Sequence, residues 1–152
     1  MVNTYTVLKT IHVIAAVTWV GGGTILVTLV GRALRASDYG RLATLIRELA
    51  FVGPRIFAPS GGILVVTGIW IVQHQGIPWD VWVILGLVGW GATFVTGNFF
   101  LGPQSKKLDG LLEAKGPSDP ESVGLMRRLL NVARVDVIVL TLVVIDMVIK
   151  PT

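Results

Sequence analysis

KTIHVIAAVTWVGGG, residues 9–23, sits inside an apolar run that extends from about Tyr5 to Val30. About 20 apolar residues rising 1.5 Å each match a hydrocarbon core of about 30 Å, so a run of this length reads as a membrane helix. Within it Lys9, His12, Ala16, Trp19 and Gly23 recur at steps of three or four and therefore share one helix face. That face carries an ionisable ring, a large aromatic and a glycine notch, while the remaining faces are Val, Ile, Leu, Ala and Thr. Lipid would not select such a face; another helix or a ligand would.

Outward from this helix the whole chain has the same character. Only 14% of its 152 residues are charged, against roughly a quarter in a small soluble domain, and its mean hydropathy is +0.74. Four apolar spans separate at about 5–30, 55–74, 80–101 and 129–149. The connections 31–54 and 102–128 hold nine of the 13 Lys and Arg residues, with Arg55 just beyond the first, whereas Gln73 to Trp79 has none. By the positive-inside rule both long connections face the cytoplasm and both termini face outward. The net charge of +4 thus answers a topological question and does not indicate nucleic acid. The start MVNTYTV lacks the cationic region and cleavage site of a secretory signal and reads as part of a retained first helix.

Several chemistries are excluded by residue type. With no cysteine there are no disulfides, thiolate metal sites or cysteine nucleophiles. The GGG at 21–23 lies inside an apolar helix, so it is not a phosphate-cradling loop. Neither a Ser-His-Asp set with aqueous access nor a hydrolytic carboxylate pair is present.

The connections and later spans carry further signals. Ser37 is placed to cap a helix with Leu42, Leu45, Ile46 and Leu49 on one side and Arg41, Arg47 and Glu48 opposite, an amphipathic segment that lies in the headgroup layer or extends the second span. Gly53, Pro54 and Arg55, followed by Pro59, Ser60, Gly61 and Gly62, predict a second span kinked or locally unwound in its cytoplasmic third. Gly89, Thr93 and Gly97 form a small-residue stripe suited to close helix approach. Ser118 and Glu121 fit a capping box for a long last helix, which Lys150 and Pro151 stop. Charges inside a span need partners, so Arg55 is expected to pair with Asp136, Asn98 with Arg134, and Lys9 with Asp146.

His12 is the sharpest chemical feature. Imidazole ligates haem iron or copper and carries protons near neutral pH, and it equally serves as a hydrogen-bonding group between helices. Both readings stand on residue type. Trp19, about 10 Å deeper on the same face, would flank a flat cofactor or fill the core.

LKTIHVIAAVTWVGGG, with Lys9, His12, Trp19 and Gly22 in register, resembles the first helix of a group of small bacterial membrane proteins. The group includes the copper-resistance protein D family, the HemJ-type protoporphyrinogen oxidases and an uncharacterised family of four-helix integral membrane proteins. The ending DMVIKP, Asp146 to Pro151, is similar to the last of these. The HemJ resemblance implies b-type haem on His12, yet the lysine those proteins use in a later helix is missing from the second and third spans. The copper-resistance resemblance implies a copper path through His12, for which this chain adds only His74, Met126 and Met147. His12 lies about five residues further from its helix end than His74, a depth mismatch of about 7–8 Å against about 4 Å between axial nitrogens, so single ligation by His12 fits better.

Together these readings describe an all-α four-helix membrane bundle of one domain, 1–152, in a bacterial inner membrane among lipids, with the stripe on the third helix suggesting a homodimer. The expected site is an outer-half pocket of Lys9, His12, Trp19 and Asp146, holding haem or a metal ion through His12 or His74. The alternative is a non-redox accessory subunit or small transporter protomer in which these groups are structural.

Overall fold

A computed structural model describes residues 3–150, and all regular structure among them is helical. Helix α1 spans Thr4–Arg35; Asn3 caps it, its Oδ1 accepting from the Thr6 N–H at 2.9 Å. Helix α2, Tyr39–Val52, runs through a π-helical turn, Gly53–Phe57, into α3, Ala58–His74. Helix α4, Val81–Val95, passes through a second π turn, Thr96–Leu101, into α5, Gly102–Lys115. Helix α6, Pro120–Ile149, closes the bundle. Lys150 ends it in the left-handed conformation, with its N–H donating to the Asp146 carbonyl; Pro151, the expected stop, lies outside the described residues.

Three continuous helices among the described residues are long and apolar enough to cross a membrane: Thr4–Arg35, Tyr39–His74 and Val81–Lys115. The segment Tyr39–Val52 is therefore continuous with the second long helix. The fourth, α6, is comparably long but carries Arg134, Asp136 and Asp146 within its apolar run. Val17, Val66, Val88 and Val148 are each 64–77% exposed, an apolar exterior that water would not tolerate and acyl chains would.

Two kinds of packing hold the bundle. At the basic end Val30, Ala33, Leu42, Ile46, Leu108, Leu112, Met126, Leu129 and Leu130 form one buried cluster drawn from α1, α2, α5 and α6. Towards the other end the helices approach through glycines. Gly61 and Gly68, seven residues apart on α3, meet Trp19 and His12, seven apart on antiparallel α1. Gly89 on α4 sits against Val143 on α6, so the small-residue stripe is engaged inside the chain.

Local chemistry shifts several predicted boundaries by a residue or more. Asp38 caps α2 by accepting from the Arg41 N–H at 3.0 Å, because Ser37 takes a left-handed φ of 53° in the preceding turn. Asp119 caps α6 by accepting from the Glu121 N–H, displacing the Ser118 capping box. The irregularity predicted where the second span begins is a π turn at Gly53–Phe57; Pro59, Gly61 and Gly62 are α-helical, and Gly61 lies against Phe94 and Trp19. The third long helix does not end at Pro103. Its π turn places Pro103 at the start of a new helical stretch, where its missing N–H costs little.

Candidate functional site

His12 lies in the α1–α3 seam. Its Nδ1 is 3.0 Å from Thr67 Oγ1, and that hydroxyl reaches the Ile63 carbonyl at 2.7 Å. With the hydroxyl proton on a backbone carbonyl, of Ile63 or of Leu64 at 3.2 Å, the oxygen accepts from His12 Nδ1–H and Nε2 keeps its lone pair; in the other tautomer the hydroxyl donates to Nδ1. The ring also covers Gly68, where an added Cβ would fall 3.0 Å from His12 Cε1. The imidazole thus bridges two helices, and it lines neither of the two cavities described below.

The other groups of the expected outer pocket do not converge on it. Lys9 is exposed with its ammonium 5.7 Å from the Tyr5 ring centre, and Asp146 buries an unpartnered Oδ2 beside Gly86 on α4. Trp19 points into the bundle, edge-on to Phe94 at 6.3 Å. His74 is exposed and stacks on Trp70 at 4.6 Å, six residues beyond the Gly68 level, or about 9 Å along the helix. Among the described residues no three of His, Asp or Glu are grouped to hold a metal ion.

The expected intramembrane pairs are not formed either. Arg55 lies over the Phe51 ring at 4.0 Å and donates to the Phe51 carbonyl. Asn98 gives its amide N–H to the Phe94 carbonyl at 2.8 Å, and Arg134 donates to Asn131 Oδ1 at 3.3 Å. Each of these three side chains makes its hydrogen bond within its own helix, and the Arg134 guanidinium also reaches Gly31 of α1. The ion pairs among the described residues, Arg47–Asp109 and Lys115–Glu121, both lie at the basic end.

A cavity lies towards the basic half and measures about 430 Å³, within the range of small-molecule sites. Its walls come from all the long helices, with Trp19 and Gly23 on α1, Ala133 and Asp136 on α6, and Leu49 on α2. Both π turns contribute: Gly53, Pro54 and Phe57 on one side, and Gly97, Asn98 and Leu101 on the other. A π turn widens the helix and misaligns its ladder, and such turns occur frequently at functional sites. Asp136 also borders a shallower groove between α4 and α6, lined by Thr93, Thr96 and Val139.

The family model described as "Predicted integral membrane protein (DUF2269)" matches residues 6–151. The chain belongs to that family. No curated protein and no solved structure matched it. The DUF2269 match runs from the first turn of α1 past the end of α6, so every wall of the cavity lies within it. Of the residues that define this cavity, the sequence singled out Trp19, Asn98 and Asp136 for other reasons. Gly97 was read only as part of a packing stripe, and Phe57 and Ser105 were missed; the clustered prolines and glycines around Pro54 were the available signal.

Proposed function

We infer that this is a four-span membrane protein whose working site is the cavity framed by the two π turns, and that it binds an apolar or amphiphilic small molecule there. The cavity carries this reading: it is of ligand size, and its apolar walls are punctuated by a few polar groups, Asp136, Asn98 and Ser105. On this reading His12, Thr67 and Trp90 are helix-bridging groups, Trp90 donating to the Gly61 carbonyl at 2.9 Å. The reading places the protein among non-redox accessory or transport proteins of a bacterial inner membrane.

Gly97 offers the test. A Cβ there meets nothing within 4 Å, so Gly97→Leu projects a side chain into the cavity without displacing a neighbour. Protein in detergent is expected to bind uncharged tetraphenylsilane above the empty-micelle blank, and Gly97→Leu to lose that binding. Equal binding by both proteins would remove the cavity as the site. The topology follows from the charge distribution, with α6 as fourth span and both termini outside. The chain lacks cysteine, so single cysteines at Asn3 and Lys107 report sidedness directly. Impermeant maleimide is expected to label the first from outside and the second only after permeabilisation.

One observation favours a second reading. A ligating histidine characteristically donates its other ring N–H to an oxygen, and His12 Nδ1 is 3.0 Å from the Thr67 hydroxyl, a contact that in the Nδ1–H tautomer leaves Nε2 to coordinate. Single axial ligation of a b-type haem, as the likeness to HemJ-type proteins implies, uses that nitrogen. The residues present supply one ligand and no surrounding cradle, so the fit is limited to His12 itself. Oxidised and reduced spectra in mild detergent decide it: a Soret band lost in His12→Ala supports haem, and colourless protein removes it.

A further inference from the structure

The cavity's polar groups are unequal in kind. Asp136 supplies a carboxylate, and no ion pair or hydrogen bond engages it among the described residues. Asn98 donates one of its two amide N–H bonds to the Phe94 carbonyl and keeps Oδ1 as a free acceptor beside the second N–H. Pro54 and Pro103 stand in the wall with no N–H to give. Trp19 and Phe57 add aromatic surface, which attracts cations through the negative face of the ring.

The cations nearby are placed elsewhere. Arg134 donates to Asn131, and its other terminal nitrogen approaches Gly31 of α1. Arg55 lies over Phe51. Lys106 is a wall residue but is exposed, two positions from Leu108 in the basic-end cluster with Met126 and Leu130. Those residues lie six to ten positions from Asp136 on α6, about 9–15 Å along the bundle. Gly23, by contrast, faces Val137 and sets Asp136 level with the Trp19 end of α1. The deep end of the cavity is therefore an acceptor and aromatic site without its own cation, in surroundings where an unpaired carboxylate is costly.

We propose that the cavity takes a lipophilic organic cation, with Asp136 as its counter-ion and Trp19, Phe57 and the Asn98 amide oxygen around its charged centre. This rests on the cavity being the working site. The ammonium belongs either to a free amphiphilic amine or to a lipid headgroup, since both present the same charge on an apolar body.

The test compares tetraphenylphosphonium with the isoelectronic, uncharged tetraphenylsilane on purified protein in detergent. The cation is expected to bind the natural protein more tightly than the silane, and Asp136→Asn to weaken the cation roughly tenfold or more while leaving the silane unchanged. Asparagine keeps the shape and relieves a membrane charge, so this variant should fold; Gly97→Leu should lose both probes. Equal binding of the two probes, or an unchanged cation affinity in Asp136→Asn, overturns the cation assignment while the cavity stands. Failure of both probes to bind the natural protein overturns the cavity and the assignment together. Displacement of the cation by phosphatidylethanolamine but not phosphatidylglycerol supports the assignment with a lipid ammonium as source; no displacement by either supports it with a free cation.

Discussion

The basic end and the opposite end of this bundle are held together by different physics. At the basic end Leu42, Leu108 and Met126 are fully buried in a cluster that could belong to a water-soluble four-helix protein. At the opposite end the buried cluster is small, Val72, Trp82 and Val83, and contact is made by glycines receiving single side chains: His12 on Gly68, Met147 on Gly86, Val143 on Gly89. The difference follows from the solvent on each side. Helices in water associate by withdrawing apolar surface, whereas lipid tails are as apolar as leucine and leave only close packing and hydrogen bonds as glue. The cavity lies where one regime gives way to the other, beside the two π turns that change the helix geometry.

The largest effect should come from the water-driven cluster. Leu42→Ala removes a fully buried side chain shared by α2 and its neighbours, and is expected to cost about 2–5 kcal/mol of stability. Thermal unfolding in detergent, read by circular dichroism, measures it. A loss well below 1 kcal/mol would mean that the basic end is not held by burial.

At the lipid-embedded end the sensitive feature is backbone proximity. A Cβ on Gly89 would fall 2.3 Å from Val143 Cγ2, and a β-branched valine in a helix has almost no alternative rotamer. Gly89→Ala is expected to cost about 1–3 kcal/mol by overpacking. Gly86→Ala sharpens the point, because its close contact is the methyl end of Met147, which can swing aside. The two alanines should therefore differ clearly in melting temperature; equal losses would show that α4 and α6 adjust as rigid bodies.

His12→Ala comes next. It removes one interhelical hydrogen bond to Thr67, whose hydroxyl keeps its Ile63 acceptor and so is not orphaned. Such bonds in membranes average about 0.6 kcal/mol and reach about 1.7 kcal/mol, so a loss near 1 kcal/mol is expected in the same assay. A much larger loss would imply a bound group anchored on the ring.

The sequence was informative where one solvent acts along a whole segment. Apolar run length and the placement of Arg and Lys outlined the helices and their basic end, and the spacing of His12 and Trp19 correctly marked the face of α1 that meets other helices. What the spacing could not supply was the azimuth of each partner helix. Asp136 was paired with Arg55 by depth alone, yet Arg55 turns over Phe51 and leaves the carboxylate on the cavity wall. The cavity itself arises from two π turns, and a one-residue change of helical pitch leaves little trace in hydrophobic periodicity. Only the prolines at 54, 59 and 103 hinted at it.

The smallest effect should come from the most visible ion pair. Arg47 Nε donates to Asp109 Oδ1 at 3.2 Å and links α2 to α5, but the side chains are 57% and 38% exposed. In water such a pair gains little over its separate hydrated partners and is screened by salt, so Arg47→Ala should cost under about 1 kcal/mol. Raising ionic strength from roughly 0.05 to 0.5 M should erase most of that loss, because the Debye length falls well below the bundle's width. The Leu42→Ala loss should not shrink with salt, since apolar burial is not screened. If removing Arg47 instead costs several kcal/mol and resists salt, the basic end is sheltered from water by headgroups or a partner, and the solvent contrast between the two ends would have to be redrawn.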